Sequence, residues 1–311
     1  MLKITTPSRI HTTLIDLNAS IGRIDGGIGL ALEKPSIRIS ARESNEIKVT
    51  GFLKERAEEA AKKVLKALKI EGGIEVKIKE AYPQHVGLGS GTQIALATGK
   101  AICKIYEKNL SIREIARIAG RGGTSGIGVA AFEHGGFILD GGHSTKEKKK
   151  FLPSSASKVS PPPVLARYEF PDWKLALVIP RIKEEFYGRK EIDIFQKYCP
   201  ISIAEVRKLS HLILMKLLLS LVEKDIENFG RCINEIQGIG FKKLEVSLQA
   251  REVRELMKLC KNYSYGAGLS SFGPTIYCII ENKKDLLGVL KEKKVDTIIT
   301  KANNYGAKIE A

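Results

Sequence analysis

The chain has 311 residues, long for one hydrophobic core and natural for two domains, and its 43% hydrophobic and 28% charged content belongs to a packed protein rather than a disordered one. Its 51 Lys and Arg against 35 Asp and Glu leave a formal charge of +16, which suits a polyanionic partner without naming it. No apolar run approaches a membrane span, the longest, from Leu212, being broken by Lys216. The opening MLKITTPSRIHTTLIDLN lacks the order of a signal peptide and reads as structure, so a cytoplasmic protein is expected. Five scattered cysteines without a C-x-x-C pair read as reduced structural thiols, and five histidines show no standard metal spacing.

In chain order, 8–15, 28–32, 36–41 and 46–50 read as short strands between Gly- and Asn-bearing turns. Ala57, Ala60, Ala61, Val64, Leu65 and Leu68 fall at helical spacing and predict a helix over 54–69 that packs on this sheet. Ile74, Val76 and Ile78 alternate as a half-buried strand leading into AYPQHVGLGSGTQ. Helices near 92–107 and 112–119 precede residues 120–142, whose nine glycines imply backbone in close approach. A short apolar strand, Phe137 to Leu139, ends that stretch, and the polar, basic, proline-terminated 143–163 reads as an interdomain loop, giving units 1–160 and 161–311.

The second half predicts a strand over 174–179 and a long helix over 203–223, opened by Ser202 and Glu205 in capping-box relation. Helices over 226–236 and 244–259, a Gly-Ser loop over 266–274, a strand over 275–280, a helix over 283–292 and a strand over 295–300 complete an α+β pattern. Lys and Arg are spread over helices and mixed with Glu, without the basic stripe and interleaved aromatics of a nucleic-acid binder. The basic run Lys146, Lys148, Lys149 and Lys150 reads as a solvated loop cluster, and the Lys, Glu and Ile content also suits high-temperature stability.

Gly87, Gly89 and Gly91 form G-L-G-S-G immediately before a helix, with Ser90 and Gln93 in capping-box relation. Glycines there let the backbone curl round a ligand, and the helix dipole favours negative charge, so a phosphate or diphosphate is the natural guest; a turn that only caps the helix accounts for the pattern as well. The loop is neither a Walker loop nor a Rossmann fingerprint. Two more glycine-bearing segments, RGGTSGIGVAAFEHGGFILDGGH and YGAGLSSFGPTIYCII, need explaining with it.

In these segments the chain resembles the GHMP kinase superfamily of small-molecule kinases, which includes galactokinase, homoserine kinase, mevalonate kinase and phosphomevalonate kinase. Residues 7–18 resemble its substrate-side strand, 83–93 its P-x-x-x-G-L-G-S-S loop and 266–273 its C-terminal glycine motif. The resemblance implies an α+β, two-domain fold, an N-terminal ribosomal-protein-like α/β domain followed by a C-terminal ferredoxin-like α+β domain. Two departures stand out. Ser125-Gly126-Ile127-Gly128 puts glycine where many of those kinases carry S-G-x-D with a catalytic aspartate, and Ser90-Gly91-Thr92 replaces two serines and a small apolar residue, suggesting a roomier loop shaped for something other than ATP. The phrases PSRIHTTLIDLN, RIDGGIGLALEKP, GLGSGTQIALA, SGIGVAAFEHGGFILDGGH, FLPSSAS, PPPVLAR and GLSSFGPT resemble a non-kinase branch, the archaeal β-ribofuranosylaminobenzene 5′-phosphate synthase family of methanopterin biosynthesis.

That resemblance implies a decarboxylating phosphoribosyltransferase joining phosphoribosyl diphosphate to 4-aminobenzoate or 4-hydroxybenzoate, with Mg2+ as cofactor, a homodimer, and neither nucleic acid nor membrane as partner. Gly87, Leu88, Gly89, Ser90, Gly91, Thr92 and Gln93 are then expected to cradle the diphosphate, with Mg2+ bridging its oxygens. Arg9 and His11, with Asp140 the expected catalytic residues, are expected to touch ligand rather than fill surface or core roles, with Ser125, Ser270 and Ser271 facing substrate; Arg167, a substrate-binding candidate, and Arg23 are balanced between the two readings. Asp140 reads as a ribose-hydroxyl or Mg2+ contact or, equally, as an Asx-turn acceptor; Asp25 leans to a simple turn. The rival readings are an ATP-dependent kinase of the same fold and, third, an RNA-binding protein.

Overall fold

The structure, a computed structural model, describes residues 1–154, 156–182, 189–281 and 285–310. It opens with two long antiparallel strands, β1 (Leu2–Asp16) and β2 (Arg23–Ser44), then β3 (Lys48–Thr50), α1 (Lys54–Leu68) and β4 (Gly73–Glu80). The strands expected at 28–32 and 36–41 are thus one. Pro35, which cannot donate to a ladder, sits where the register slips between Thr6 and Ser8 of β1, and the strand passes through it. Next come α2 (Ser90–Ile105), α3 (Ile112–Ala119), α4 (Ile127–Glu133), β5 (Phe137–Asp140), β6 (His143–Ser144) and β7 (Val164–Tyr168). Ala57, Ala60, Ala61, Val64 and Leu65 bury one face of α1, as their spacing predicts.

The second half runs β8 (Leu175–Pro180), α5 (Arg189–Tyr198), α6 (Ile203–Leu212), a π-helical turn (Ile213–Leu217), α7 (Leu218–Val222), α8 (Ile226–Ile236), α9 (Gly240–Ser247) and α10 (Arg251–Asn262). It ends with β9 (Gly266–Leu269), β10 (Ile276–Ile279), α11 (Asp285–Leu290), β11 (Val295–Thr300) and β12 (Lys308–Glu310). The helix expected over 203–223 is therefore interrupted by the π turn, and only half of its capping box forms. Ser202 accepts from Ala204 N at 3.3 Å, while Glu205 accepts from Gly240 N at 2.7 Å and so ties α6 to α9. The helix expected over 244–259 is two helices, because Gln249 donates to the carbonyls of Glu245 at 3.2 Å and Phe272 at 3.0 Å where α9 ends. Residues 266–269, expected as loop, form a strand whose small residues admit α8: a β-carbon on Gly266 would overlap the Gly230 carbonyl. Lys283, where a helix was expected to start, lies outside the described residues.

The first sheet has the order β12-β1-β2-β4-β3, with β5 and β6 also paired to β2 and β7 to β5; the second is antiparallel, β11-β8-β10-β9. β7 and β12, both beyond position 160, join the first sheet, so the chain passes between the sheets more than once. One apolar cluster reaches both, and Phe137, Phe170, Trp173 and Phe229 pack at the junction with ring centroids 5.3–6.4 Å apart. Among the described residues no helix is long and apolar enough to cross a membrane.

Candidate active site

The segment between β4 and α2 carries the glycine loop. Gly87 and Gly89 adopt left-handed backbone, φ 85° and 81°, which other residues take only at a cost, and Gly89 is the N-cap of α2. The expected Ser90–Gln93 capping box is absent because that left-handed N-cap sets Ser90 one position inside the helix. Its hydroxyl donates to the Pro83 carbonyl at 3.3 Å, and Gln93 donates to the Gly128 carbonyl at 2.7 Å, joining α2 to α4.

Three segments far apart in sequence are bonded together here. Arg9 N donates to the Leu88 carbonyl at 3.1 Å, and Ser271 N donates to the His11 carbonyl at 2.9 Å. The Ser270 hydroxyl donates to the Gly87 carbonyl at 2.8 Å and accepts from His11 N at 3.1 Å. Between the two loops opens a cleft of about 270 Å³, lined by Arg9, Arg56, His85, Arg121, Gly87, Gly89, Ser90, Gly91, Thr92, Glu191 and the loop from Ser271 to Gly273. No side chain caps α2, and residues of its first turn line the cleft. A helix N-terminus near three guanidinium groups favours negative charge, with Glu191 the carboxylate among the described lining residues. Burial lowers the pKa of Arg9, and that of Arg121 to about 10, with neighbouring Arg56 adding to the second shift. Both remain cations at neutral pH.

Gly91 does not make the loop roomier, contrary to the sequence expectation. The Arg121 guanidinium fills that space, its Nε donating to the Gly91 carbonyl at 3.2 Å.

Arg9 and His11 are two residues apart on β1 and share a face. Arg9 donates to the Gly87 carbonyl. His11 is 5% exposed, neither ring nitrogen has a hydrogen-bond partner among the described residues, and burial beside the cations Arg9 and Lys242 holds its pKa well below the usual value. It is therefore a neutral imidazole with an available lone pair. Asp140, 1% exposed, ends β5 and accepts from Gly126 N at 2.9 Å, Gly142 N at 3.1 Å and the Ser125 hydroxyl at 3.3 Å. Burial nevertheless pushes its pKa up to about 7. The Asx-turn geometry and a perturbed buried carboxyl thus coexist in one residue.

Behind Asp140 lies a network of charged side chains. Asp25 meets His143 Nδ1 at 2.6 Å and receives Lys148 Nζ at 2.9 and 3.1 Å, while Lys148 also donates to the Thr124 hydroxyl at 2.7 Å and His143 Nε2 lies 2.9 Å from the Ser160 carbonyl. Lys148 is 3% exposed, so it does not belong to the solvated cluster expected of the basic run; Lys146, Lys149 and Lys150 are exposed. The loop after β6 is folded onto the first sheet by these bonds.

The remaining expected residues are placed as follows. Leu88 is buried in the core and offers only its carbonyl. Ser125 serves Asp140, and Ser270 is buried between loops. Arg23 donates to the carbonyls of Gly141 and Gly142 at 2.5 and 2.9 Å. Arg167 bonds the carbonyls of Gly135 and Asn304, away from the cleft. Sequence reasoning missed Arg56, Arg121, Glu191 and the buried pair Lys242–Glu245 of α9, whose lysine donates to the Leu269 and Ser271 carbonyls at 3.1 and 3.3 Å. Arg121 opens the RGG segment and had that much signal; the others sit in helices with no local mark. No group of three or more His, Cys, Asp and Glu able to hold a metal occurs among the described residues.

Residues 55–136 match the family described as GHMP kinases N terminal domain, and 214–292 match GHMP kinases C terminal. The chain is 51% identical to a beta-ribofuranosylphenol 5′-phosphate synthase of Archaeoglobus fulgidus, over 100% of each chain. It is 49% identical to one from Methanocaldococcus jannaschii, over 98% of this chain and 99% of that one. Among solved structures, a putative homoserine kinase from Listeria monocytogenes superposes with a TM-score of 0.70 at 17% identity, covering 100% of both chains.

Proposed function

The chain belongs to the beta-ribofuranosylphenol 5′-phosphate synthase family, built on the GHMP kinase fold, and we propose how its cleft carries out the pentosyl transfer of that family. The enzyme condenses phosphoribosyl diphosphate with a para-substituted benzoate, releasing diphosphate and CO2 and leaving a C-riboside 5′-phosphate for methanopterin biosynthesis. The relatives' name specifies a phenol, which favours 4-hydroxybenzoate over 4-aminobenzoate as the acceptor.

One observation carries the reading: Arg9, Arg56 and Arg121 converge on the uncapped N-terminus of α2 beside two left-handed glycines. The ring carbon bearing the carboxylate bonds to the ribose anomeric carbon as the anomeric C–O bond breaks, and its electron pair leaves with diphosphate. The ring-to-carboxylate bond then breaks, returns its pair to the ring and frees CO2. Backbone N–H groups and guanidinium groups favour the charge gathering on the leaving group. His11 and Asp140, buried farther along the same sheet and not among the residues lining the cleft, are given the positioning of the ribose and acceptor end from behind it rather than the grip on diphosphate.

Mg2+ belongs to the proposal as a companion of the diphosphate, since among the described residues the cleft shows a single carboxylate, Glu191, and no acidic cluster. When bound there it supplies further neutralisation of the leaving group. The five cysteines stand unpaired, which suits a cytoplasmic enzyme, and the homodimer expected of the family is checked by light scattering.

Incubation with phosphoribosyl diphosphate, Mg2+ and carboxyl-labelled 4-hydroxybenzoate releases labelled CO2 in step with diphosphate. ATP consumption with a hydroxylated metabolite, and no CO2, would favour the kinase reading, against which Gly128 stands where a catalytic carboxylate would be required.

A further inference from the structure

Two glycines, one lining the cleft and one buried behind its lining residues Thr92 and Arg9, have no backbone reason to be glycine. Gly91 and Gly128 are each the second residue of a helix, α2 and α4, and neither has a positive φ. Any residue takes that conformation, and glycine is a poor helix former. What distinguishes both positions is the side chain lying against them. A β-carbon on Gly91 would overlap Nη2 of Arg121. A β-carbon on Gly128 would stand 3.4 Å from Cγ2 of Thr92 and 3.9 Å from Nε of Arg9. Arg9 is held from the other side by Gly89, whose β-carbon would lie 3.2 Å from the same Nε. The Arg9 side chain is threaded between two glycines, and that of Arg121 lies over a third.

Direct ion pairing of these arginines is sparse among the described residues. Among the described residues Arg121 forms no ion pair, and its hydrogen bond is to the Gly91 carbonyl at 3.2 Å. Arg56 lies 3.4 Å from Glu59, a carboxylate that Lys63 holds more closely at 2.7 Å. Arg9 donates to a neutral carbonyl, that of Gly87. Glu245 and Glu191 act on Arg9, and Glu59 on Arg121, without a direct ion pair to either among the described residues, so an arriving anion gains direct contacts that these carboxylates do not occupy.

We propose that Gly91 and Gly128 are specificity-determining positions, glycine because each keeps one arginine of the cleft, Arg121 and Arg9, in reach of a diphosphate. This rests on the diphosphate reading of the cleft. At position 91 the requirement is steric, since any side chain pushes Arg121 off the loop. At position 128, where a β-carbon would fit at ordinary contact distance, it is electrostatic instead, because an acidic side chain there would pair with Arg9 and cancel the charge needed by the leaving group. The loop thus selects a departing diphosphate by what its neighbouring positions omit.

The test is calorimetric titration of the full-length protein with inorganic diphosphate, with and without Mg2+, on variants first shown by circular dichroism and guanidinium unfolding to fold. Gly91→Ala and Arg121→Met are each expected to weaken binding about ten-fold or more. The double variant is expected to be no weaker than Arg121→Met alone, because the glycine acts only through the arginine. Gly128→Asp is expected to lose about ten-fold or more, and Gly128→Ala several-fold less than that, separating charge from bulk. Additive losses in the double variant, or equal losses for alanine and aspartate at 128, overturn the proposal while leaving the diphosphate site intact. A wild-type protein that binds neither inorganic diphosphate nor phosphoribosyl diphosphate overturns the underlying reading of the cleft instead.

Discussion

His11 and Asp140 meet across a missing side chain: a β-carbon on Gly27 would stand 3.2 Å from Nε2 of His11 and 3.4 Å from Oδ2 of Asp140. β2 runs between β1 and β5 at this point, so the sheet itself sets the separation of a neutral imidazole and a perturbed carboxyl. Polar groups held this way are positioned by backbone rather than by flexible loops, which is what a reaction needing two aligned substrates requires.

Gly27→Ala tests that gap. The added methyl would press on His11 Nε2 at 3.2 Å and on the Thr13 carbonyl at 3.3 Å, so the imidazole must shift by a few tenths of an ångström away from Asp140. Turnover is expected to fall on the order of a hundred-fold, while inorganic diphosphate, bound at the far end of the site, keeps its affinity. Steady-state kinetics and titration read the two effects separately, and equal loss in both would show a collapsed site rather than a misaligned one.

The same pair makes stability depend on pH in opposite directions. Asp140 has a pKa of about 7 in the fold against 3.8 without it, so the folded state holds its proton longer. Its contribution is fully present below about pH 4 and declines by up to about 4 kcal/mol as pH rises through 7. His11 is held neutral by burial beside Arg9 and Lys242 and costs stability as pH falls below its ordinary value of 6.5, where the unfolded chain gains the proton. Asp25 and His143 face Asp140 as well and stay in place in the test. Guanidinium unfolding of Asp140→Asn and wild type at pH 4.5 and 7.5 is expected to show the variant gaining on wild type at the higher pH. A constant difference would mean that Asp140 is ionised throughout.

How much of this could be read in the sequence depended on whether the partners are local. The glycine loop, the β1 side chains Arg9 and His11, and the strand ending at Asp140 were legible, because positive-φ glycines and alternating apolar residues leave a mark within a few positions. Lys148 was not, since its partner Asp25 is 123 residues away and the surrounding lysines are solvated. Arg121 was passed over for the same reason, and Gly91 was misjudged because an absent side chain was taken as space when a distant one fills it. Ser90 has the composition of a helix cap, but Gly89 pre-empts it through a backbone angle that composition does not reveal.

Lys148→Met separates one lysine from its neighbours. Removing the ammonium leaves Asp25 buried with His143 as its remaining ionisable partner, a change that typically costs about 3–5 kcal/mol. The same substitution at the exposed Lys149 or Lys150 is expected to stay within about 0.5 kcal/mol. Chemical unfolding midpoints for the three variants decide it. A small effect at position 148 would mean that the loop after β6 is not anchored by this pair.

Ser270 distinguishes a scaffold from a ligand contact. Its hydroxyl donates to the Gly87 carbonyl at 2.8 Å and accepts from His11 N at 3.1 Å, and it is fully buried, whereas the adjoining Ser271 lines the cleft. Ser270→Ala would take its side-chain acceptor from His11 N, while the Gly87 carbonyl keeps Arg9 as a donor, at a cost of about 1–3 kcal/mol. Stability should fall first, with KM for phosphoribosyl diphosphate rising because the loop is released, and the rate at saturating substrate should change least. Ser271→Ala removes no such bridge, so its effect should appear in substrate affinity without a shift in the unfolding midpoint. Equal destabilisation by both would mean that the loop is held by its backbone alone, through the Ser271 amide on the His11 carbonyl at 2.9 Å.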